Sequence, residues 1–208
     1  LLKIINVIIL LMFKNDFIIG VDEAGRGPLA GPVAVAAVMS SKKTLRRLAL
    51  NKDSKQLSES DREKWYGKIL LAKKTGGLYF SSVLASEKII DRLGITQAVS
   101  RALATALRKL PIDLNNRIWL DGSLRAPARY KRQKTIIGGD ALIPVISLAS
   151  VVAKVSRDRK MTRLARRYTE YGFAKHKGYA TLDHYLALLQ YGPCPIHRRS
   201  YLSFLDLD

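Results

Sequence analysis

Several features that define other protein classes are scarce in this sequence or missing from it. It has one cysteine, Cys194, among 208 residues, which excludes an internal disulfide and argues against a cysteine-based zinc site. A single cysteine fits a reducing compartment, so we expect a cytoplasmic protein. The 3 histidines lie in the C-terminal third and show no metal-ligand spacing such as H-E-x-x-H. The sequence contains no P-loop. Gly25-Arg26-Gly27 does not begin a dinucleotide-binding G-x-G-x-x-G, because position 30 is alanine.

Acidic residues are also few. The chain has 17 Asp and Glu against 36 Lys and Arg, for a net charge of +19. Such a charge predicts a polyanionic partner, with nucleic acid ahead of an anionic membrane surface. Charge alone does not choose between the two.

No apolar run has the length of a membrane-spanning helix, which needs about 20 residues. The strongest run, LLKIINVIILLMF at residues 1–13, also lacks the basic start and the cleavage site of a signal peptide. We weigh three explanations in decreasing order: a mis-set start with Met12 as the natural beginning, an extra strand or arm packed on the domain, and a membrane anchor. We therefore treat 1–13 as an apolar N-terminal arm and 14–208 as one domain. We expect no association with a membrane.

What the sequence does contain is an alternation of strand-like and helix-like segments. Apolar runs bounded by Gly, Pro or acids predict strands at 17–21, 32–38, 78–84, 117–120 and 135–139. Helical spacing or composition predicts helices at 61–73, 86–93, 95–110, 143–160 and 182–189. This alternation is typical of an α/β or mixed α+β domain.

Four carboxylates follow predicted strands: Asp22, Glu23, Asp121 and Asp140. Taken alone, the first two are better explained as residues of a solvent-facing turn, but the other two acids reverse that preference. Clustered acids cannot all stay ionised without cations, and oxygen ligands select Mg²⁺ or Mn²⁺. Two such ions about 4 Å apart can activate water and stabilise the leaving oxygen of a phosphodiester. Together with the charge, the acids predict a metal-dependent nuclease.

Ordered motifs extend this prediction. They are DEAGRGPLAGPV (22–33), DSKQLS (53–58), DG (121–122), GGD (138–140), ISLASVVAKVSRD (146–158), YGFAKHKGYAT (171–181) and HRRS (197–200). In this order, over about residues 17–204, they resemble the type 2 ribonuclease H family, ribonuclease HII. A departure is Gln56, where the family usually has lysine.

The resemblance implies a ribonuclease-H-like fold: a five-stranded mixed sheet flanked by helices, with a small helical C-terminal part. It also implies that 14–208 is a catalytic domain that cleaves RNA in RNA–DNA hybrids and nicks 5′ to single ribonucleotides embedded in DNA. The products would carry 3′-hydroxyl and 5′-phosphate ends, and catalysis would use two divalent ions, Mg²⁺ or Mn²⁺.

The resemblance also assigns site residues. The family's metal-binding acids match Asp22, Glu23, Asp121 and Asp140. Its Gly-Arg-Gly element, which reads the 2′-hydroxyl at the RNA–DNA junction, matches Gly25, Arg26 and Gly27. Its junction-sensing tyrosine matches Tyr179, with Tyr168, Tyr171 and Tyr185 nearby. Lys55 is either a phosphate contact or an ordinary turn lysine, with equal weight.

Other residues receive plainer interpretations. The basic loop 125–134, with Tyr130 within it, predicts a nucleic-acid backbone contact. Asp158 predicts a structural ion pair with Arg157 or Arg159. Ser147 and Ser150 are interpreted as helix-packing residues, and His176 and His184 as packing residues or phosphate contacts. Phe204 and Leu205 at the C-terminal tail either dock on a sliding clamp or pack on the core, with core packing the safer choice. We expect a monomer, since no oligomerisation signal is found.

Three alternatives remain open at this stage. One is a basic nucleic-acid-binding protein without catalysis, whose acids are structural. Another is a peripheral membrane protein that uses residues 1–13. The last is the sister type 3 ribonuclease H, which normally has an extra N-terminal domain and a glutamate as its fourth acid, whereas position 140 is aspartate.

Overall fold

The structure is a computed structural model, and it describes residues 17–48 and 57–203. The expectations for the N-terminal arm, for Lys55 and for Phe204 and Leu205 therefore lie outside the described residues.

A five-stranded mixed sheet forms the centre of the molecule. Its strands are β1 (Phe17–Ala24), β2 (Val33–Ser41), β3 (Leu78–Ala85), β4 (Arg117–Asp121) and β5 (Gln133–Ile136). In space they run in the order β3-β2-β1-β4-β5. Strand β1 pairs antiparallel with β2 and parallel with β4, β2 pairs antiparallel with β3, and β4 pairs parallel with β5. The predicted five-stranded mixed sheet is confirmed.

Helices cover both faces of this sheet. They are α1 (Lys42–Leu48), α2 (Glu59–Lys74), α3 (Glu87–Leu93), α4 (Ile95–Arg108), α5 (Gly139–Leu142), α6 (Pro144–Ala165), α7 (Phe173–His176) and α8 (Leu182–Tyr191). Short 3₁₀ turns occupy Thr169–Tyr171 and Arg199–Tyr201. Helix α2 begins where the Ser58 side chain accepts a hydrogen bond from the Asp61 N–H, as expected of an N-cap serine.

Alternate residues of β2 belong to two separate hydrophobic layers. Val35 and Ala37 lie in one layer with α4, and Ala36 and Val38 lie in the other with α6, as the two-residue period of a strand requires. Helix α6 can approach β1 closely because Gly20 has no side chain: a Cβ there would lie 2.3 Å from the Val145 carbonyl oxygen. This close contact brings the middle of α6 beside the acidic end of β1.

A third cluster forms the small helical C-terminal part. It packs Met161 of α6 against Tyr171, Phe173 and Leu188. Backbone hydrogen bonds tie it to the loop after β1: the Gly31 N–H donates to the Ile196 carbonyl (2.8 Å), and the Arg198 N–H donates to the Leu29 carbonyl (2.8 Å).

Asp22 and Glu23 lie at the end of β1, as expected, although the strand continues to Ala24. Two expectations about placement need correction. Asp140 lies in the first turn of α5, because the chain leaves β5 at Ile136 and Gly138 turns it with a left-handed backbone (φ 66°). Tyr130 is 3% exposed and packs in the core, so only the basic side chains of loop 125–134 are available to nucleic acid.

Candidate active site

Three carboxylates from three separate elements meet at one end of the sheet. Asp22, Asp121 and Asp140 each offer an oxygen, and these oxygens lie within 4.8 Å of one another. The parallel pairing of β1 with β4 aligns Val21 with Leu120, which sets the next residues, Asp22 and Asp121, side by side. The Asp140 N–H then donates to Asp121 Oδ1 at 3.3 Å.

Glu23 adjoins this group. Its backbone N–H donates to Asp22 Oδ1 at 2.7 Å, and its Oε1 accepts from Arg26 Nη1 at 3.4 Å. Its side chain is 15% exposed. All four predicted acids therefore lie close together, with Glu23 beside the cluster of three aspartates.

The electrostatics of the site favour a cation. Burial raises the pKa of Asp22 well above its usual value; the Ser150 hydroxyl opposes this shift, and the charges of Glu23 and Asp121 add to it. Burial also raises the pKa of Glu23, with partial compensation from Arg26. Glu23 Oε2 is buried and receives no hydrogen bond within the described segments. An all-oxygen donor set with such an orphaned oxygen fits a hard divalent cation.

The acids open into a cleft of about 360 Å³. The residues around it come from β1, its following loop, α2, β4, α6 and the segment before α8. They are Asp22, Glu23, Ala24, Gly25, Arg26, Arg62, Asp121, Ser150, Lys154 and Tyr179. The structure therefore places three predicted acids, two residues of the Gly-Arg-Gly element and the predicted tyrosine in one cavity.

Of the tyrosines considered from the sequence, Tyr179 is the one that lines this cleft. It is 42% exposed, and its ring centroid lies 5.4 Å from the Arg157 guanidinium carbon and 5.9 Å from Lys154 Nζ. By contrast, Tyr171 is buried, and its hydroxyl donates to the Gly192 carbonyl at 2.6 Å.

The two outer glycines of the Gly-Arg-Gly element have different requirements. Gly25 has a φ of +95°, and a Cβ there would lie 2.0 Å from Arg157 Nε, so the fold itself demands glycine. Gly27 is exposed, and a Cβ there would meet no described atom within 4 Å. The protein's own packing therefore does not explain glycine at position 27, and the absence of a side chain leaves its backbone open to close approach.

Sequence reasoning missed two helix residues that support the acids. The Ser150 hydroxyl hydrogen-bonds the Asp22 carboxylate, and the Ser147 hydroxyl donates to the Asp140 carbonyl. Both serines were assigned to packing alone. Their three-residue spacing, continued by Lys154 four residues later, places these polar groups along one side of α6, and this was the available signal.

Lys154 and Arg62 are the other missed cleft residues. Lys154 Nζ lies 2.8 Å from Asp158 Oδ1, and Arg62 Nη2 lies 3.7 Å from Asp158 Oδ2. The predicted structural ion pair of Asp158 is therefore present, but the predicted partners were wrong. Arg159 instead pairs with Glu63 at 2.7 Å.

The three histidines form a buried cluster that does not line the cleft but contacts the backbone of Tyr179, whose carbonyl oxygen lies 2.9 Å from His184 Nδ1. His184 Nε2 lies 2.9 Å from His197 Nε2, and the His176 and His184 rings stack at 4.6 Å. Burial lowers the pKa of all three, that of His197 to about 4. Of the two interpretations, packing is the one that this arrangement supports.

The chain was compared with known proteins. The Ribonuclease HII family model matches residues 19–204. Curated relatives named ribonuclease HII include one from Polaromonas sp. (strain JS666 / ATCC BAA-500), 44% identical over 189 residues, covering 90% of each chain. Another, from Burkholderia pseudomallei (strain K96243), is 42% identical over 187 residues, covering 90% of this chain and 84% of the relative.

Solved structures agree. Ribonuclease H2 from Pyrococcus horikoshii OT3 superposes with a TM-score of 0.72 and 30% identity over 88% of this chain and 93% of that one. Ribonuclease HII from Archaeoglobus fulgidus, solved in complex with PCNA, has a TM-score of 0.71 and 24% identity over 88% and 94%. Ribonuclease HIII labelled Bst, solved with Mn²⁺, shares the fold alone, with a TM-score of 0.62 and 16% identity over 86% and 71%.

These matches decide among the hypotheses. The family is type 2 rather than type 3, and the interpretation as a binding protein without catalysis is not supported. No helix in the described ranges is both long and apolar enough to cross a bilayer. The family model and the curated relatives together establish that the chain belongs to the ribonuclease HII family, the metal-dependent endoribonucleases that act on RNA–DNA hybrids.

Proposed function

We propose that this protein nicks the phosphodiester bond 5′ to a ribonucleotide, in hybrids and at single ribonucleotides embedded in DNA, and leaves 3′-hydroxyl and 5′-phosphate ends. The observation that carries the proposal is the convergence of Asp22, Asp121 and Asp140 within 4.8 Å, beside a cleft that Asp22 and Asp121 share with Arg26 and Tyr179.

Asp22, Glu23, Asp121 and Asp140 would hold the divalent ions, Mg²⁺ or Mn²⁺, two of them during catalysis. When bound, such ions supply an activated water and charge stabilisation at the leaving oxygen. The protein's part is to keep the carboxylates ionised and oriented. Ser150 does this for Asp22 by hydrogen-bonding its carboxylate, which opposes the rise of its pKa.

Substrate recognition would rest on Gly25, Arg26, Gly27 and Tyr179. A 2′-hydroxyl is both donor and acceptor and distinguishes RNA from DNA, so peptide groups near the exposed Gly27 can bond it without obstruction. The Tyr179 ring, exposed at the cleft, would pack on the following deoxyribose. A 2′-hydroxyl at that second sugar would crowd the ring, which would favour an RNA–DNA junction.

Positive charge at the cleft would hold the phosphates. Lys154 lines the cleft beside the acids, and burial lowers its pKa while its bond to Asp158 opposes that shift. Arg62 lines the same cleft. These cations, together with a net charge of +19, would attract the nucleic-acid backbone and make affinity fall with salt.

We further propose a cytoplasmic monomer. A sliding-clamp contact through Phe204 and Leu205 is a weaker proposal; it finds support only in the Archaeoglobus fulgidus protein, whose structure was solved with PCNA. Gel filtration, with and without a clamp protein, tests both points.

The decisive experiment uses a labelled DNA duplex with one ribonucleotide, an all-DNA duplex and a long RNA–DNA hybrid. Each is incubated with the protein in EDTA, Mg²⁺ or Mn²⁺. We expect a metal-dependent nick 5′ to the ribonucleotide and none in all-DNA. Cleavage of the long hybrid alone would contradict the proposal that Gly25, Arg26, Gly27 and Tyr179 recognise an RNA–DNA junction. Salt-sensitive binding without any cleavage would contradict the catalytic proposal.

A further inference from the structure

Arg198 is a charged side chain with no exposure to solvent (0%), and its guanidinium donates hydrogen bonds to three backbone carbonyls. Nη1 donates to the Arg26 carbonyl at 2.7 Å, and Nη2 donates to the Gly25 carbonyl at 2.7 Å. Nε donates to the Gly31 carbonyl at 2.9 Å. One guanidinium therefore fixes both ends of the loop that follows β1.

Tyr201 strengthens the same attachment. Its hydroxyl donates to the Arg26 carbonyl at 3.0 Å, and its ring centroid lies 5.1 Å from the Arg198 guanidinium carbon. The segment that carries both residues is held in turn by Asp91 of α3. Asp91 accepts hydrogen bonds from the Arg199 N–H at 3.0 Å and the Ser200 N–H at 3.1 Å.

This arrangement determines where the loop's donors point. A trans peptide is planar, with its C=O and N–H on opposite sides. Holding the Gly25 carbonyl on the guanidinium therefore directs the Arg26 N–H away from it, and holding the Arg26 carbonyl does the same for the Gly27 N–H. Gly25 and Arg26 line the cleft and Gly27 is exposed, so the segment that carries these N–H groups lies where a ligand in the cleft can approach it.

The energetics argue that this arrangement serves more than stability. Burial lowers the pKa of the Arg198 guanidinium, and Tyr201 opposes the shift. Burying a charge costs free energy unless hydrogen bonds satisfy it. Three neutral carbonyls offset that cost, and in return the guanidinium holds two successive peptide groups in one orientation, which a single-donor side chain cannot do.

We propose that Arg198, assisted by Tyr201, is a positioning residue that orients the peptide groups of Gly25–Arg26 and Arg26–Gly27 to bond the 2′-hydroxyl of the substrate. The inference rests on the proposed reading role of this element. It predicts that Arg198 determines discrimination between ribose and deoxyribose, separately from general affinity for duplex DNA.

The test measures binding by fluorescence anisotropy in an Asp121→Asn background, which blocks cleavage, with Mg²⁺ at fixed salt. Two duplexes are compared, one with a single ribonucleotide and one of DNA alone. For Arg198→Lys we expect the ratio of the two dissociation constants to fall about tenfold, the equivalent of one lost hydrogen bond. The dissociation constant for the all-DNA duplex should change less than about twofold, since the charge is kept.

Tyr201→Phe is the milder variant, because it removes one hydroxyl from a partly buried ring. We expect a fall in the ratio of about threefold, in line with a weak neutral hydrogen bond. Arg199→Lys is the matched control, since the Arg199 side chain is exposed and it is the backbone N–H of Arg199 that donates to Asp91. Its ratio should equal that of the background protein.

The outcomes separate the two levels of the argument. A ratio retained by both Arg198→Lys and Tyr201→Phe, or equal losses for both duplexes, overturns the positioning role alone. If circular dichroism shows that Arg198→Lys does not fold, Tyr201→Phe decides. A background protein that does not discriminate overturns the reading role of Gly25–Gly27, and the present inference with it.

Discussion

Asp121→Asn should make the metal-free protein more stable while abolishing its activity. The carboxylate oxygens of Asp22, Asp121 and Asp140 lie within 4.8 Å. Two unit charges at that distance repel by about 3 kcal/mol at an effective dielectric constant of about 20. Part of this repulsion is already relieved, because the raised pKa of Asp22 allows proton uptake. We therefore expect the free energy of unfolding in EDTA to rise by about 1–2 kcal/mol.

Urea denaturation followed by circular dichroism, in EDTA and in saturating Mg²⁺, measures this effect. Wild type should gain about 2.7 kcal/mol from Mg²⁺ at a concentration one hundred times its dissociation constant. Asp121→Asn should gain much less and should not cleave a ribonucleotide-containing duplex. Asparagine keeps an oxygen that can accept the Asp140 N–H, so the fold should be unchanged.

Asp183→Asn is the matched control, since Asp183 is exposed and pairs with Lys175 at 2.8 Å. Loss of that carboxylate removes an attraction, so stability should fall slightly while cleavage and the response to Mg²⁺ remain. An Asp121→Asn protein that is less stable than wild type in EDTA, or that keeps its response to Mg²⁺, would refute the reasoning.

Four further predictions follow from the structure. Gly25→Ala should lower the free energy of unfolding by about 2 kcal/mol or more, because φ is +95° and the Cβ would lie 2.0 Å from a buried guanidinium. Gly27→Ala should unfold at the same urea concentration as wild type, yet cleave at a single ribonucleotide at least about tenfold more slowly. A loss of stability in Gly27→Ala as large as that in Gly25→Ala would contradict this. Acidification from about pH 6.5 to 4 should lower the urea midpoint, since burial depresses the pKa of His197 to about 4. The unfolded chain then binds more protons than the folded one, and a His197 that stays neutral in the folded protein lowers the free energy of unfolding by about 1.4 kcal/mol per pH unit over this range; a flat midpoint would count against the buried cluster. Ser150→Ala should raise the pKa of Asp22 further, so Mg²⁺ titrations of cleavage should shift to higher concentration and recover as pH rises. An unshifted titration would show that this hydroxyl does not act on the acid.

The sequence was most informative where local pattern and site coincide. Asp22, Glu23 and Asp121 lie on short strands between turn residues, and the register of two parallel strands then brings them together. Asp140 belongs to the predicted cluster, but it lies in a short helix rather than at the end of a strand, because Gly138, with a left-handed backbone, turns the chain before it. The prediction that Asp140 belongs to the acidic cluster still holds, because the chemistry depends on its carboxylate and not on the type of element that carries it.

Elsewhere, tertiary packing determines the burial and the partners of residues, which sequence periodicity cannot show. Helix α6 is buried along most of its length, so its apolar pattern masked the spacing that places Ser150 and Lys154 on the side of the acids. Tyr130, within a basic loop, turned out to be a core residue. The partners of Asp158 come from one turn earlier in its own helix and from α2, and the latter contact spans nearly one hundred positions. Such pairings depend on the assembled fold.

The Arg198 attachment also constrains the order of folding. Its contact with the Gly25 carbonyl spans 173 positions, so the loop belongs to the first strand but receives its anchor from a late part of the chain. During synthesis from the N-terminus, β1 and β2 can pair long before that anchor emerges. Contacts of such long sequence separation form slowly. The acidic cluster can thus assemble before the loop acquires its final orientation, and under the role proposed for Arg198 a newly made molecule would gain substrate selectivity only after that cluster has formed.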